Sequence, residues 1–246
     1  MDYEAELEVK SDSQILHVVD VETTGLDPKT DSIVEIGMAK VDIVHESIGS
    51  LKTSLIYPGK SIPHEASAVH HITDQHVIAS PKIGDAFGLI FPEIGQKDLT
   101  FCAHHAEFDQ SFLGIETDMV CTKRLSRHLW PNAAHHWLQF LRYFLEVELE
   151  EEVSPHRARG DVIVTSHILL KIVEKVKFEY PHLSGKSLLN GMLALSNSPV
   201  LLKMVGFGKY KGKEWSEVPT SYLGWVSEQD FDRDILHTVR HHLSDR

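Results

Sequence analysis

Cysteine is nearly absent: Cys102 and Cys121 are the two in 246 residues. Both sit beside apolar residues in core-like segments, so a disulfide framework is excluded in favour of buried free thiols in a reducing, cytoplasmic setting. No apolar run is long enough to span a bilayer, which removes a membrane role. The first fourteen residues are acidic and polar, unlike a secretory signal. Basic charge is also short. Lys and Arg number 24 against 36 Asp and Glu, a formal net charge of −12, which excludes a tight, salt-resistant binder of nucleic acid. The basic residues that exist are gathered in Lys123, Arg124 and Arg127, in Arg157 and Arg159, and in Lys203, Lys209, Lys211 and Lys213. Such patches suffice for transient phosphate contact.

What is present is ample core material, with 42% hydrophobic residues. The length suits one large domain, or one with a small appendage. Ile15 to Val19 is a short apolar run that predicts a buried strand, Ile33 to Val41 a second, and Leu51 to Tyr57 a third. Leu99 to Ala103 predicts a fourth. Helices are expected near Pro63–Glu65, from Ser80 to about Ile90, from Ser111 onward, over Thr122–Leu129 and Trp137–Phe144, and over Asp161–Val176. Strands followed by alternating helices and strands indicate an α/β domain with a mixed sheet. Composition divides the chain into an acidic extension over 1–14, a main domain over 15–182, and a C-terminal module over 183–246 docked on it.

Four carboxylates in three separated motifs carry the chemistry. Asp20 and Glu22 stand two apart at the end of the first apolar strand, in V-V-D-V-E-T-T-G, so their side chains share one face. Paired oxygen ligands at a strand end suit hard cations. Asp109 closes A-H-H-A-E-F-D at a helix's opening turn, where an ordinary carboxylate favoured by the helix dipole accounts for it equally well. Helix periodicity favours Phe108, Phe112 and Leu113 as core. Asp161 ends H-R-A-R-G-D, five residues after His156. An imidazole on a loop before that helix can take a proton from a water at the metal site. Of the seventeen histidines, His135, His136, His241 and His242 are assigned to the surface or to incidental places.

In this order the motifs resemble those of the DEDD superfamily of 3′→5′ exonucleases, in the subgroup with a histidine base. The segment I-P-H-E-A-S-A-V-H-H-I-T also resembles a family segment. Cys121 to Pro131 and the tail Phe207 to Lys213 with Y-L-G-W are similar to the exodeoxyribonuclease X branch. The resemblance implies a ribonuclease H-like mixed five-stranded sheet flanked by helices, with a small C-terminal appendage. It implies metal ligation by Asp20, Glu22, Asp109 and Asp161, with His156 as general base and two Mg²⁺ (or Mn²⁺) as cofactors. It further implies substrate contacts at Thr23, Thr24, Gly25, His104, His105 and Phe108. Where the family usually has Asn this chain has His105, which bears on substrate affinity or polarity preference.

Lys209, Lys211 and Lys213, in F-G-K-Y-K-G-K, are assigned to phosphate contact, whereas Phe207, Trp215, Tyr222 and Trp225 are assigned to a small core. The implied partner is DNA with a 3′ end, with no small-molecule cofactor beyond metal ions. An RNA-trimming enzyme and a catalytically idle nucleic-acid-binding module are the competing readings.

Overall fold

In the computed structural model, residues 7, 10, 12–92 and 99–246 are described. Most of the acidic N-terminal extension lies outside them. Ile15–Thr23 (β1), Ile33–Asp42 (β2) and Ser47–Leu55 (β3) form an antiparallel meander. Thr100–Ala103 (β4) adds in parallel on the other side of β1, and the two-residue strand Val120–Cys121 (β5) adds beyond it. The order β3-β2-β1-β4-β5 puts β1 at the centre of a mixed five-stranded sheet. Three short helices, His64–His70 (α1), Asp74–Val77 (α2) and Ile83–Ile90 (α3), precede β4. Ala106–Leu113 (α4) follows it, then Thr122–Leu129 (α5), Leu138–Phe144 (α6), Ala158–Glu179 (α7) and Gly185–Asn197 (α8). The chain ends with Thr220–Ser227 (α9) and Arg233–Ser244 (α10).

The period-two alternation of β1 divides the core. Leu16 and Val18 face a cluster with Leu125 of α5, Leu141 of α6, Val162, Ile168 and Ile172 of α7 and Leu188 of α8. Val19 and Val21 face the opposite cluster, with Ile90 of α3 and Ala106 and Leu113 of α4. Across β1 and β2 the first face runs Leu16–Val41, Val18–Ala39, Asp20–Gly37 and Glu22–Glu35. Apolar pairs beneath the body of α7 thus give way to carboxylates beneath its N-terminus. Gly37 is required there: a Cβ would lie 2.8 Å from the carbonyl oxygen of Ala158.

Two expectations need correction. The boundary at 182/183 falls too early, because Leu188, Leu189 and Met192 of α8 are buried in the same cluster as α7. A separate cluster of Val205, Trp215, Val218, Leu223, Val226 and Val239 defines the C-terminal unit from about residue 198. The helix expected from Ser111 begins at Ala106, and Asp109 lies in its first turn as expected. The two cysteines are free and buried, as expected.

The C-terminal unit is held by one buried acid. Asp234 of α10 accepts hydrogen bonds from Arg124 Nη1 and Nη2 (3.1 and 3.0 Å), from Arg127 Nη1 (3.3 Å) and from the Val200 N–H (2.9 Å). Arg124 also donates to the carbonyls of Ser196 (2.7 Å) and Ser198 (2.6 Å). The basic cluster in α5 is therefore largely committed to the fold rather than to an outside anion.

Candidate active site

Asp20 and Glu22 leave the end of β1 on the face that α7 covers, and Asp161 descends from the first turn of α7. One oxygen from each of these three lies within 4.8 Å of the other two. Asp109 comes from α4 and is buried. β4 pairs with β1 as far as Val18 and then turns into α4, which leaves the β1 edge open. Asp109 Oδ1 fills that gap by accepting the Val21 N–H at 3.2 Å. Its carboxylate thus braces the strand between Asp20 and Glu22, while the three-oxygen group is made by the others.

The electrostatics follow from this convergence. Burial, then the charges of Asp109, Asp161 and Glu22, push Asp20 well above the usual carboxylate range. Burial and the neighbouring Asp161 push Glu22 up to about 8. Burial raises Asp109 to about 8, although the Val21 N–H opposes it. Asp161 reaches about 6, because burial is partly offset by His156 and by the amide of Gln139, whose Nε2 donates to Oδ1 at 3.3 Å. Repulsion of this kind is relieved by a cation. An all-carboxylate donor set is the one that Mg²⁺ and Mn²⁺ favour, so the residues present fit the implied metal.

His156 precedes α7, is exposed, and has a φ of +57°. Its backbone N–H donates to Asp161 Oδ2 at 3.0 Å. Two residues that the motifs do not mark join the site. Glu35, directly across from Glu22 on β2, accepts from Arg157 Nε and Nη2 (2.9 and 2.8 Å) and from the Ala158 N–H (2.9 Å). A lone Glu inside the apolar strand I-V-E-I-G is the signal that could have found it. Gln139 is the other, and nothing in its local sequence marks it.

The remaining candidates divide. Thr23 Oγ1 donates to the Gly25 carbonyl and Thr24 Oγ1 to Asp31 Oδ1, which also pairs with Lys60 at 2.9 Å. Both hydroxyls are spent in shaping the loop after β1. Gly25 is needed there because a Cβ would meet the Asp31 carboxylate. The buried His70, from the segment between the first two motifs, reaches the Thr23 carbonyl at 3.3 Å.

His104 departs from its assignment as a substrate contact. It is buried, with Nδ1 2.9 Å from Thr122 Oγ1 and Nε2 3.0 Å from the His136 carbonyl. Burial, aided by the Lys123 charge, lowers it to about 3. It is a neutral brace between β4, α5 and the loop before α6. His136, assigned to the incidental class, is part of that brace and sits 2.9 Å from Ser126 Oγ through Nδ1. His105 is exposed over Phe108, with ring centroids 6.4 Å apart, at the mouth of a 590 Å³ cavity that Lys123 and Arg127 also line. Phe108 in turn packs on the α4-side core.

Lys209, Lys211 and Lys213 are exposed and carry no carboxylate partner among the described residues. Trp215 is buried, and Phe207 and Tyr222 pack against the C-terminal core cluster as expected. Trp225 is half exposed.

A mixed sheet with carboxylates converging at the end of its central strand defines a ribonuclease H-like exonuclease fold. The chain belongs to the exonuclease family, whose model, described as Exonuclease, matches residues 17–169. A second model, described as Putative quorum-sensing-regulated virulence factor, matches residues 198–239. Exodeoxyribonuclease 10 of Escherichia coli (strain K12) is 29% identical over 236 residues, spanning 93% of this chain and 99% of the relative. The solved structure of Exonuclease X in complex with 5′ overhanging duplex DNA is similar at a TM-score of 0.58 and 26% identity, covering 74% of this chain and 99% of that one. The nuclease domain of 3′hExo, a DEDDh family member bound to rAMP, shares the fold at a TM-score of 0.56 and 13% identity, covering 68% of this chain and 94% of that one. The resemblance read from the motifs is borne out.

Proposed function

We propose that the chain hydrolyses DNA from 3′ ends, releasing nucleoside 5′-monophosphates, in repair or end trimming. The observation that carries this is the convergence of Asp20, Glu22 and Asp161 to within 4.8 Å, where burial raises all three and the charge of Asp161 raises Asp20 and Glu22 further. These three residues would hold two divalent cations, Mg²⁺ or Mn²⁺, with Asp109 completing the site. Such cations supply charge neutralisation for the scissile phosphate and acidify water at its surface. His156 takes the proton of the attacking water as the P–O3′ bond to the penultimate nucleotide breaks. Asp161 orients that base through its N–H. Asp109 keeps the end of β1 straight, so that Asp20 and Glu22 stay on one face.

DNA is favoured over RNA because the relative that matches nearly end to end is named an exodeoxyribonuclease. Lys209, Lys211 and Lys213 contact the phosphates of the bound strand from the C-terminal unit. The test is a time course on 5′-labelled DNA and RNA of one sequence, with Mg²⁺, with EDTA, and with Asp20→Ala. A DNA ladder shortening from the 3′ end, lost with EDTA and in the variant, is the expected result. Faster loss of RNA would reverse the assignment of the sugar, and no degradation of either would leave a binding module.

A further inference from the structure

The turn that presents His156 is tied down from four sides. The Glu35 carboxylate binds both the Arg157 guanidinium and the Ala158 N–H. Asp161 binds the His156 N–H. A Cβ at Gly37 would lie 2.8 Å from the Ala158 carbonyl oxygen, and one at Gly160 would lie 2.5 Å from that of Ser154. The turn therefore sits as close to β2 and to α7 as the backbone permits. Within it His156 adopts φ +57°, a left-handed conformation that is disfavoured for a residue with a Cβ. Such a conformation persists where the surroundings over-determine it.

Glu35 is 4% exposed and directly opposite Glu22. A buried carboxylate beside a cation site is a natural further ligand, yet here both of its oxygens point into the turn. Arg157 Nη2 takes Oε1, while Arg157 Nε and the Ala158 N–H share Oε2. Its side-chain bonds are with the two residues that follow His156.

We propose that the Glu35–Arg157 pair is a positioning device for the general base, fixing the left-handed turn so that the His156 ring is aimed at the attacking water. Glu35 and Arg157 act through His156, and the proposal rests on the reading of His156 as that base.

The test uses the full chain with Mg²⁺ and 5′-labelled DNA. Glu35→Gln/Arg157→Met removes the pair without leaving a lone buried charge, and the amide still accepts the Ala158 N–H. A loss of about 10–100-fold in kcat is expected, since misplacing a catalytic group by about 1 Å costs on that order. KM, Tm and the Mn²⁺ affinity measured by calorimetry stay at wild-type values. Arg157→Lys, which keeps the charge and loses the fork, falls between; it carries the same comparison if the double variant does not fold. In a His156→Ala background the pair substitution adds no further loss. Three results would overturn the proposal: wild-type kcat in the double variant, the same fold-loss with and without His156, or a changed Mn²⁺ affinity. Wild-type kcat in His156→Ala itself would instead bring down the reading of the base, and the proposal with it.

Discussion

The molecule holds two centres of buried acid, and they are opposite in kind. Burial pushes Asp234 of α10 upward, yet the bonds from Arg124, Val200 and Arg127 hold it below the usual carboxylate range. It is an acid that the fold has satisfied. Asp20 and Glu22 are half-buried, and beside that partial burial what surrounds them is Asp109, Asp161 and Glu35, so they are driven upward. Arg157, the cation that could have quenched them, is engaged with Glu35. A carboxylate that stabilises a fold arrives with its own partner; these wait for one from solution.

The contrast is broken most sharply by neutralising one acid of each kind. Asp161→Asn should abolish 3′-end trimming while leaving the unfolding temperature unchanged or raised, because it removes repulsion as well as a ligand. Circular dichroism melts alongside the DNA ladder assay check both halves. Asp234→Ala should do the reverse. It strands Arg124 beside two carbonyls and a vacated site, at a cost of about 3 kcal/mol. Activity per folded molecule should stay near wild type, and a loss of activity without a loss of stability would show the two centres to be coupled.

A smaller effect concerns a neutral buried base. His104 titrates at about 3 when folded, against 6.5 for the ordinary side chain. The stability it contributes is complete above pH 6.5 and is lost as pH falls toward 3, because the unfolded chain takes up the proton first. Between pH 6.5 and 5 the slope corresponds to about 2 kcal/mol. Urea melts of the wild type and of His104→Gln should diverge over that interval, and parallel curves would mean the ring is protonated in the fold.

Least in size is the Lys strip. Replacing Lys209, Lys211 and Lys213 by Ala should raise KM for DNA a few-fold at constant kcat. The salt dependence of binding should lessen by up to ~0.7–0.9 for each phosphate that the variant no longer neutralises. An unchanged KM would confine the C-terminal unit to a structural role.

The legible and illegible parts of this molecule differ in how local their causes are. β1 with its acidic pair, α5 and the long α7 follow from alternation, helical periodicity and motif spacing within a dozen residues. β5 is two residues long and exists through its pairing with β4. α8 falls on the wrong side of the compositional boundary because its apolar stripe, interrupted by Gly191, acquires meaning from docking on α7. In the site, the convergence of Asp20, Glu22 and Asp161 is legible, since an acidic pair at a strand end and a carboxylate at a helix start are local signals. The hold of Asp109 on Val21 is not, because it depends on where β4 parts from β1. His104 is misread for a similar reason: its partners, Thr122 and the His136 carbonyl, are 18 and 32 residues away.

The claim at the centre is that the unpaired acids are a cation site under strain, and Glu22 tests it most directly. Its folded pKa is about 8, against 4.5 for the ordinary side chain. Its contribution to stability is therefore complete below pH 4.5 and is lost as pH rises through about 8. The measurement is thermal unfolding of wild type and Glu22→Gln in EDTA and then in Mg²⁺, across pH 5 to 8.5. The account predicts that the metal-free variant melts higher than the wild type by at least ~2–4 °C at pH 8, equivalent to about 1 kcal/mol. That gap should shrink toward pH 5, and Mg²⁺ should raise the wild type more than the variant. Identical melting in EDTA at every pH, with no separate response to Mg²⁺, would contradict it.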